Sequence, residues 1–192
     1  MKHILYISLS FIFIFLSCKS EEDKLIELIE VEVKALTTIE KKKDYLQKIF
    51  HTYINLRKQE TEYWNTYGRN SDEYDNLIAA NRNQDLSDML RVEKYLDNYG
   101  YPSIMKFGYQ PSIIPIVQSI QVDDIGVYLE NYKYFYDAYK FNDISGELFL
   151  KYLRKLQSKT SDNQYSHVEY PESDNEIEEN IEIIIKELRL NK

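Results

Sequence analysis

The sequence predicts an all-α protein: one compact multi-helix domain behind a lipoprotein signal, closed by an extra amphipathic helix. Three observations predict this. Apolar residues recur at three- and four-residue spacing through most of the chain, the mark of helices with one buried face. No stretch alternates apolar and polar residues as a half-buried strand does. Finally, helix stop and start residues stand where the periodic segments meet, at Gly68, Ser71, Gly100, Asp123 or Asp124, and Ser145.

The chain opens with a short positive segment, Met1-Lys2-His3, then runs apolar from Ile4 to Leu16, broken only by Ser8 and Ser10. About 20 apolar residues are needed to cross a bilayer as a helix. This stretch is shorter and has no stop-transfer flank, so it is a signal h-region. It ends Phe15-Leu16-Ser17-Cys18, and Cys18 is the only cysteine of the chain. A lone thiol exported to an oxidising compartment has no disulfide partner. Phe15-Leu16-Ser17-Cys18 resembles a bacterial lipobox, with Phe15 where an aliphatic residue is commoner. The resemblance implies cleavage after Ser17 and lipid attachment at Cys18, whose two or three acyl chains give the durable membrane hold that one cannot. Residues 1–17 are then signal, and residues 18–24 an acidic tether. Lys19-Ser20-Glu21-Glu22-Asp23 resembles the acidic export signal of some Gram-negative lipoproteins. That likeness implies an outer-membrane, surface-exposed location; the plainer reading is a solvated tether.

The helical domain is expected over residues 25–156. Leu25, Leu28, Ile29, Val33 and Leu36 share one face of a first helix. A second runs from about Lys41 to Tyr67, with Tyr45, Leu46, Ile49, Phe50, Tyr53 and Leu56 on its stripe and Gly68 as its stop. Ser71 caps a third, which the polar run Asn81-Arg82-Asn83-Gln84 is expected to break or bend before it ends at Gly100. Pro102 then holds Tyr101 extended, and Gly100 is placed to form a left-handed C-cap. A short helix starts at Gln110-Pro111-Ser112, with Pro115 tolerable only in its first turn. The clearest helix follows Asp123 or Asp124 and buries Ile125, Tyr128, Leu129, Tyr132, Phe135, Tyr136 and Tyr139. Ser145 caps the next, which carries Leu148, Phe149, Tyr152 and Leu156. Residues 157–175 are polar and contain Pro171, a linker composition. Residues 176–190 form an acidic amphipathic helix with Ile177, Ile181, Ile184, Ile185 and Leu188 in line, expected to pack on the domain's own core, with the first helix as one candidate neighbour; the alternative is that it docks a partner.

The charge narrows the partners. The chain has 24 Lys+Arg and 32 Asp+Glu, net −8, and losing residues 1–17 removes one base, Lys2. An acidic chain gains nothing from neutralising phosphates, so no nucleic acid is expected, and attachment to anionic lipid must come from the acyl chains. Tyrosine is abundant, at 18 residues. Tyr-rich faces bind sugars and proteins, but Ile, Lys and Asn are plentiful too, as an AT-rich genome produces.

Tyr95-Leu96-Asp97-Asn98-Tyr99-Gly100-Tyr101-Pro102-Ser103, followed by Phe107-Gly108 and Val117-Gln118, resembles a family of uncharacterised bacterial helical domains. Their mark is a helix ending in G-[WY]-P, a Gly six residues later, and a helix ending Gln-His. Gly100, Tyr101, Pro102, Gly108 and Gln118 fit; the likeness implies a helical domain over about Tyr45 to Leu156. Gln118-Ser119 replaces the family's Gln-His, which removes its best base or ligand. Its closing Tyr-Gly-Thr-Gln-like motif is reduced to Asn163-Gln164-Tyr165-Ser166.

The chemistry-bearing residues are sparse. His3 leaves with the signal, His51 has Gln47 and Asn55 one turn away rather than carboxylates, and His167 stands in the linker near Glu169 and Glu172. There is no G-x-S-x-G elbow, no zinc spacing, no Gly-rich phosphate loop, and no cofactor or metal is expected. Paired carboxylates for glycoside cleavage come from distant positions, and acids are too numerous here to mark any. The expected function is a non-catalytic binding module that is anchored to the membrane and holds a protein or glycan ligand. Its exposed aromatic surface is expected at Tyr63, Trp64, Tyr67 and Tyr101. The alternatives are a hydrolase of envelope or imported polymers, and a structural envelope or immunity protein.

Overall fold

The computed structural model describes residues 20–160 and 173–190; the signal segment, Cys18, and His167 with most of the linker lie outside the described residues. Among the described residues there are eight helices and no strand: α1 (Glu21–Lys34), α2 (Ile39–Tyr67), α3 (Asp72–Tyr99), α4 (Ile104–Phe107), α5 (Tyr109–Gln121), α6 (Ile125–Lys140), α7 (Gly146–Thr160) and α8 (Asp174–Glu187). The expected all-helical class is the one observed.

The acidic run expected as a tether is the first turn of α1. Ser20 Oγ accepts from the Asp23 N–H at 3.1 Å, and the Asp23 carboxylate accepts from the Ser20 N–H at 3.1 Å. This reciprocal box satisfies two donors that an uncapped start leaves open, and three acids in the first turn suit the helix dipole. Ile29 and Val33 are buried, whereas Leu28, expected on the same face, is exposed.

α2 and α3 form a long antiparallel hairpin. The Tyr45 and Tyr95 rings stack 6.4 Å apart near its base, and the Lys42 ammonium lies 3.5 Å from the Tyr99 ring centre. Gly68 ends α2 and Ser71 caps α3, as expected. The break expected at Asn81–Gln84 does not occur, and α3 is continuous. Asn81 faces inward and its Nδ2 donates to Glu60 on α2 at 2.9 Å, while Arg82 and Asn83 are exposed; one residue past the run, the buried Asp85 receives Arg57.

Gly100 has φ 70° and ψ −171°, and Gly108 has φ 79° and ψ 170°. Positive φ was expected at Gly100, but the ψ values place both residues in an extended mirror region open essentially to glycine alone, not in the left-handed helical region. Between them, the Ile104 N–H donates to Asp143 Oδ1 at 2.7 Å, so the turn after α6 caps α4. α5 then starts directly and carries Pro115 in its middle, past the first turn where it was expected. An interior proline costs about 3 kcal/mol in an isolated helix. Burial offsets that cost here: Pro111, Ile114, Pro115, Ile116 and Ile120 are all in the interior, and α5 packs on α2, α3, α4, α6 and α7. It is the central helix.

Asp124 caps α6 by accepting from the Gly126 N–H at 2.7 Å. Tyr128, Tyr132 and Phe135 are buried; Ile125 and Leu129 are exposed, against expectation. Tyrosine is a core material in this protein. Tyr95, Tyr128 and Tyr152 are fully buried, Tyr128 stacks on Tyr152 at 5.2 Å, and Phe135 meets Tyr152 edge-on at 4.9 Å. The Tyr152 hydroxyl donates to the Tyr128 carbonyl, so burying this ring orphans no polar atom.

α7 continues to Thr160, into the expected linker. α8 opens with a second capping box, Ser173 with Glu176. Its isoleucine stripe seats on α7 rather than on α1, the candidate neighbour, and Ile177, Ile181, Ile184 and Ile185 belong to the same core as the rest. Ile177 packs against Gly146 at one end, and Gln157 Nε2 donates to Glu187 at 2.6 Å at the other. α7 and α8 therefore run parallel.

Gly100→Val should lower stability by about 1–3 kcal/mol, the cost of forcing a β-branched residue into this backbone region. Chemical denaturation followed by circular dichroism measures it. An unchanged midpoint and slope would show that the turn does not require glycine.

Candidate functional site: a cation-rimmed cleft between α5 and α7

A buried polar seam fixes α5 against the α2–α3 hairpin. Arg57 Nη2 donates to Asp85 Oδ2 at 2.6 Å, and Arg57 Nη1 donates to Gln121 Oε1 at 3.2 Å and lies 3.4 Å from Glu60. Gln118 Nε2 donates to the Asp85 carbonyl at 3.0 Å. The Asp85 side chain is only 4 % exposed, so its charge depends on Arg57 for compensation. Nothing in the sequence singled out Arg57, Asp85 or Gln121. The available signal was that Asn81 and Asp85 fall on the inward stripe of α3, four residues apart.

On its opposite side α5 borders a cleft of about 860 Å³ against α7. Tyr109, Ile113, Val117 and Ile120 from α5 and Leu148 from α7 supply apolar walls. Lys151, Arg154 and Lys155 place three cations on α7, with Glu147 as the acid that lines the cleft. Arg154 Nη2 is buried and has no hydrogen-bond acceptor. A buried donor left unpaired costs about 1–3 kcal/mol, while the charges open to a ligand in the cleft are those of Lys151 and Lys155, both exposed. A mostly apolar concavity of this size with a few convergent polar groups is the usual form of a small-ligand site. Gln121 lines the cleft and accepts from Arg57, so the seam sets the position of one wall.

The aromatic residues expected to form one surface are separated. Tyr101 is half-buried: its hydroxyl donates to the Ser112 carbonyl at 2.5 Å, its ring meets Phe135 edge-on at 6.2 Å, and burial pushes its ionisation well above the usual phenol range. It joins the turn of Gly100, Pro102 and Gly108 to α5 and lies apart from the exposed aromatic group. The cause is local, since Pro102 turns the chain back over α5 and carries Tyr101 inward. Tyr63, Trp64 and Tyr67 are exposed at the far end of α2. Tyr63 and Tyr67 rings lie 5.3 Å apart, and the Arg69 guanidinium lies 5.6 Å from the Trp64 ring centre. The 28 residues of α3, about 42 Å of helix, separate the two groups. His51 is exposed beside Phe50.

A second concavity, of about 510 Å³, lies among α1, α2 and α3. It holds Asp88, whose carboxyl is raised above its ordinary range chiefly by burial, with Gln84 and Arg91 opposing the shift. Arg91 lies 3.6 Å from both Asp88 and Glu32, so the charges here compensate one another. Among the described residues, no cluster of His, Cys, Asp and Glu is placed to hold a metal, and no helix is long and apolar enough to cross a membrane. The chain matches no family model, no curated protein and no solved structure.

Asp88 binds its proton more tightly folded than unfolded. Its contribution is therefore full below the unfolded pKa and is lost as pH rises through the raised folded value. Asp88→Asn, neutral throughout, should gain melting temperature relative to the wild type between about pH 3 and about pH 7. A constant difference across that range, measured by thermal melts, would remove burial of the charge as the cause.

Proposed function

We propose that this protein is a lipid-anchored binding module of the bacterial cell envelope that holds a small anionic ligand with an apolar body in the α5–α7 cleft. The observation that carries this reading is the convergence of Lys151, Arg154 and Lys155 on one cleft beside apolar walls. A guanidinium recognises carboxylate, sulfonate or phosphate through paired donors. The aliphatic floor of Ile113, Val117 and Ile120 offers few groups to hydrogen-bond a sugar. That composition favours an acyl or aromatic acid over the glycan or protein expected at first.

The anchor is supported by Cys18, the only cysteine, standing directly after an h-region. Outer-membrane placement is supported by the acids that follow it, although Asp23 also has a structural task in capping α1. Binding rather than turnover is supported by the character of the cleft, which among the described residues pairs cations with aliphatic side chains.

The probe is anilinonaphthalene sulfonate, an anion on an aromatic body, titrated into the purified protein and followed by its fluorescence. Binding should saturate at one probe per chain. Arg154→Gln should weaken it about tenfold, the loss of one charge-assisted hydrogen bond, and Val117→Trp should abolish it by filling the cleft. Trp64→Ala should leave it unchanged. Probe affinity unmoved by both cleft substitutions, in variants with wild-type melts, would reject the cleft as the site.

A further inference from the structure

The cleft between α5 and α7 differs from one end to the other. Tyr109, the first residue of α5, and Ser145, just ahead of α7, line it together. At the other ends of the two helices, Lys159 of α7 forms an ion pair with Asp123, two residues past α5. α5 and α7 therefore run parallel along the cleft. Glu147 stands at the starting end, and Lys155 and Ser158 stand opposite Gln121 at the far end. Eight residues of helix, about 12 Å, separate Glu147 from Lys155. Both are exposed, and exposed charges more than about 8 Å apart are largely screened from each other in physiological salt. An anionic head is repelled at the first end and attracted at the second.

Gln121 is the neutral polar group of that second end, half-buried in the cleft wall. Its Oε1 accepts from Arg57 Nη1 at 3.2 Å. A guanidinium has donors only, so Arg57 holds the oxygen of the amide on the side of the seam and turns Nε2 away from it. One hydrogen of Nε2 goes to the Val117 carbonyl, a turn back along α5, at 3.4 Å. An amide nitrogen carries two, and the second remains for a ligand. Arg57 sets the orientation of this amide as a partner on the far nitrogen sets that of a ligating histidine.

We infer that the ligand is an amphiphile with a single acidic head, seated with its anionic oxygens between the Gln121 amide and Lys155. Its apolar body runs back over Val117 and Ile113 toward Tyr109. Gln121 is the specificity residue, because a fixed donor accepts a carboxylate or sulfonate oxygen. Glu147 disfavours a second anion at the other end of the body. The inference rests on the proposed binding cleft.

Two probes with the same rings separate contact with the head from shape of the wall. Anilinonaphthalene sulfonate carries the anionic head, and N-phenyl-1-naphthylamine lacks it. Both are titrated into the purified protein and followed by fluorescence. Gln121→Glu keeps an acceptor for Arg57 and the size of the wall, but turns a carboxylate oxygen toward the head. It should weaken the sulfonate about tenfold or more, the loss of a charge-assisted hydrogen bond, and leave the uncharged probe unchanged. Gln121→Met, which removes the donor without adding charge beside Asp85, should show the same selective loss if the glutamate variant melts early. Glu147→Gln should leave sulfonate affinity within about twofold, since screening isolates it from the head. Loss of both probes together, or of neither, in the Gln121 variants would overturn the inference. So would a several-fold gain in sulfonate affinity with Glu147→Gln, which would put the head at the opposite end. Val117→Trp reports the cleft separately: if both probes still bind that variant, the proposed site itself is wrong and the inference falls with it.

Discussion

Everything in this fold depends on seating α5, a helix enclosed by five others that nonetheless carries Gln118 and Gln121. Polar groups cannot enter an interior without partners, because an unpaired amide there costs on the order of 1–3 kcal/mol. The Arg57–Asp85 pair answers part of the problem, since Gln118 Oε1 and Arg57 Nε stay buried without a partner. It bridges α2 to α3, and its two members reach the glutamines of α5. A buried ion pair adds little net stability over an apolar pair of equal volume. What this one supplies is position, since it meets both glutamines of α5.

That position has consequences on both sides of α5. Inward, it lets a helix with an interior proline survive, because burial of its isoleucines offsets what Pro115 removes. The Tyr101 hydroxyl, donating to the Ser112 carbonyl, ties the same helix to the turn between Gly100 and Gly108. Outward, it presents Ile113, Val117 and Ile120 to the cations of α7 and so shapes the cleft. α8 closes the other side of α7 with its isoleucine stripe. α7 is thus apolar toward α6 and α8 and cationic toward the cleft, and its amphipathic pattern serves the core and the candidate site at once.

The parts of this architecture legible in the sequence were the local ones. Helix caps depend on one side chain and the next few backbone donors, so Ser71, Asp124 and Ser145 were readable, as was the positive φ of Gly100. Long stripes were readable for the same reason, and Ile177, Ile181, Ile184 and Ile185 of α8 are buried as their spacing indicated. The reading failed where partners are distant. The run from Asn81 to Gln84 looked like a break in part because the partner of Asn81, Glu60, lies on another helix. Pro115 looked like a first-turn residue because propensity carries no information about enclosure. Tyr101 looked exposed because its place in a polar turn said nothing of Phe135, which packs against it from α6. The cleft was invisible altogether: its walls come from segments some forty residues apart, and a cation two turns along a helix reads as a solvated face. Ser20 and Asp23 form the exception among local features, read as a tether because acids beside a lipidated cysteine suggested one.

The account stands on Arg57 and Asp85 acting as a unit that holds α5 in place. A double-mutant cycle with Arg57→Ala and Asp85→Ala, measured by denaturant unfolding, tests that directly. Each single substitution leaves a buried charge or its polar partners uncompensated, so the double variant should be less destabilised than the two singles together, with a coupling of about 1.5 kcal/mol or more. Additive losses, within about 0.5 kcal/mol, would mean that the two residues do not form the seam on which α5 is seated.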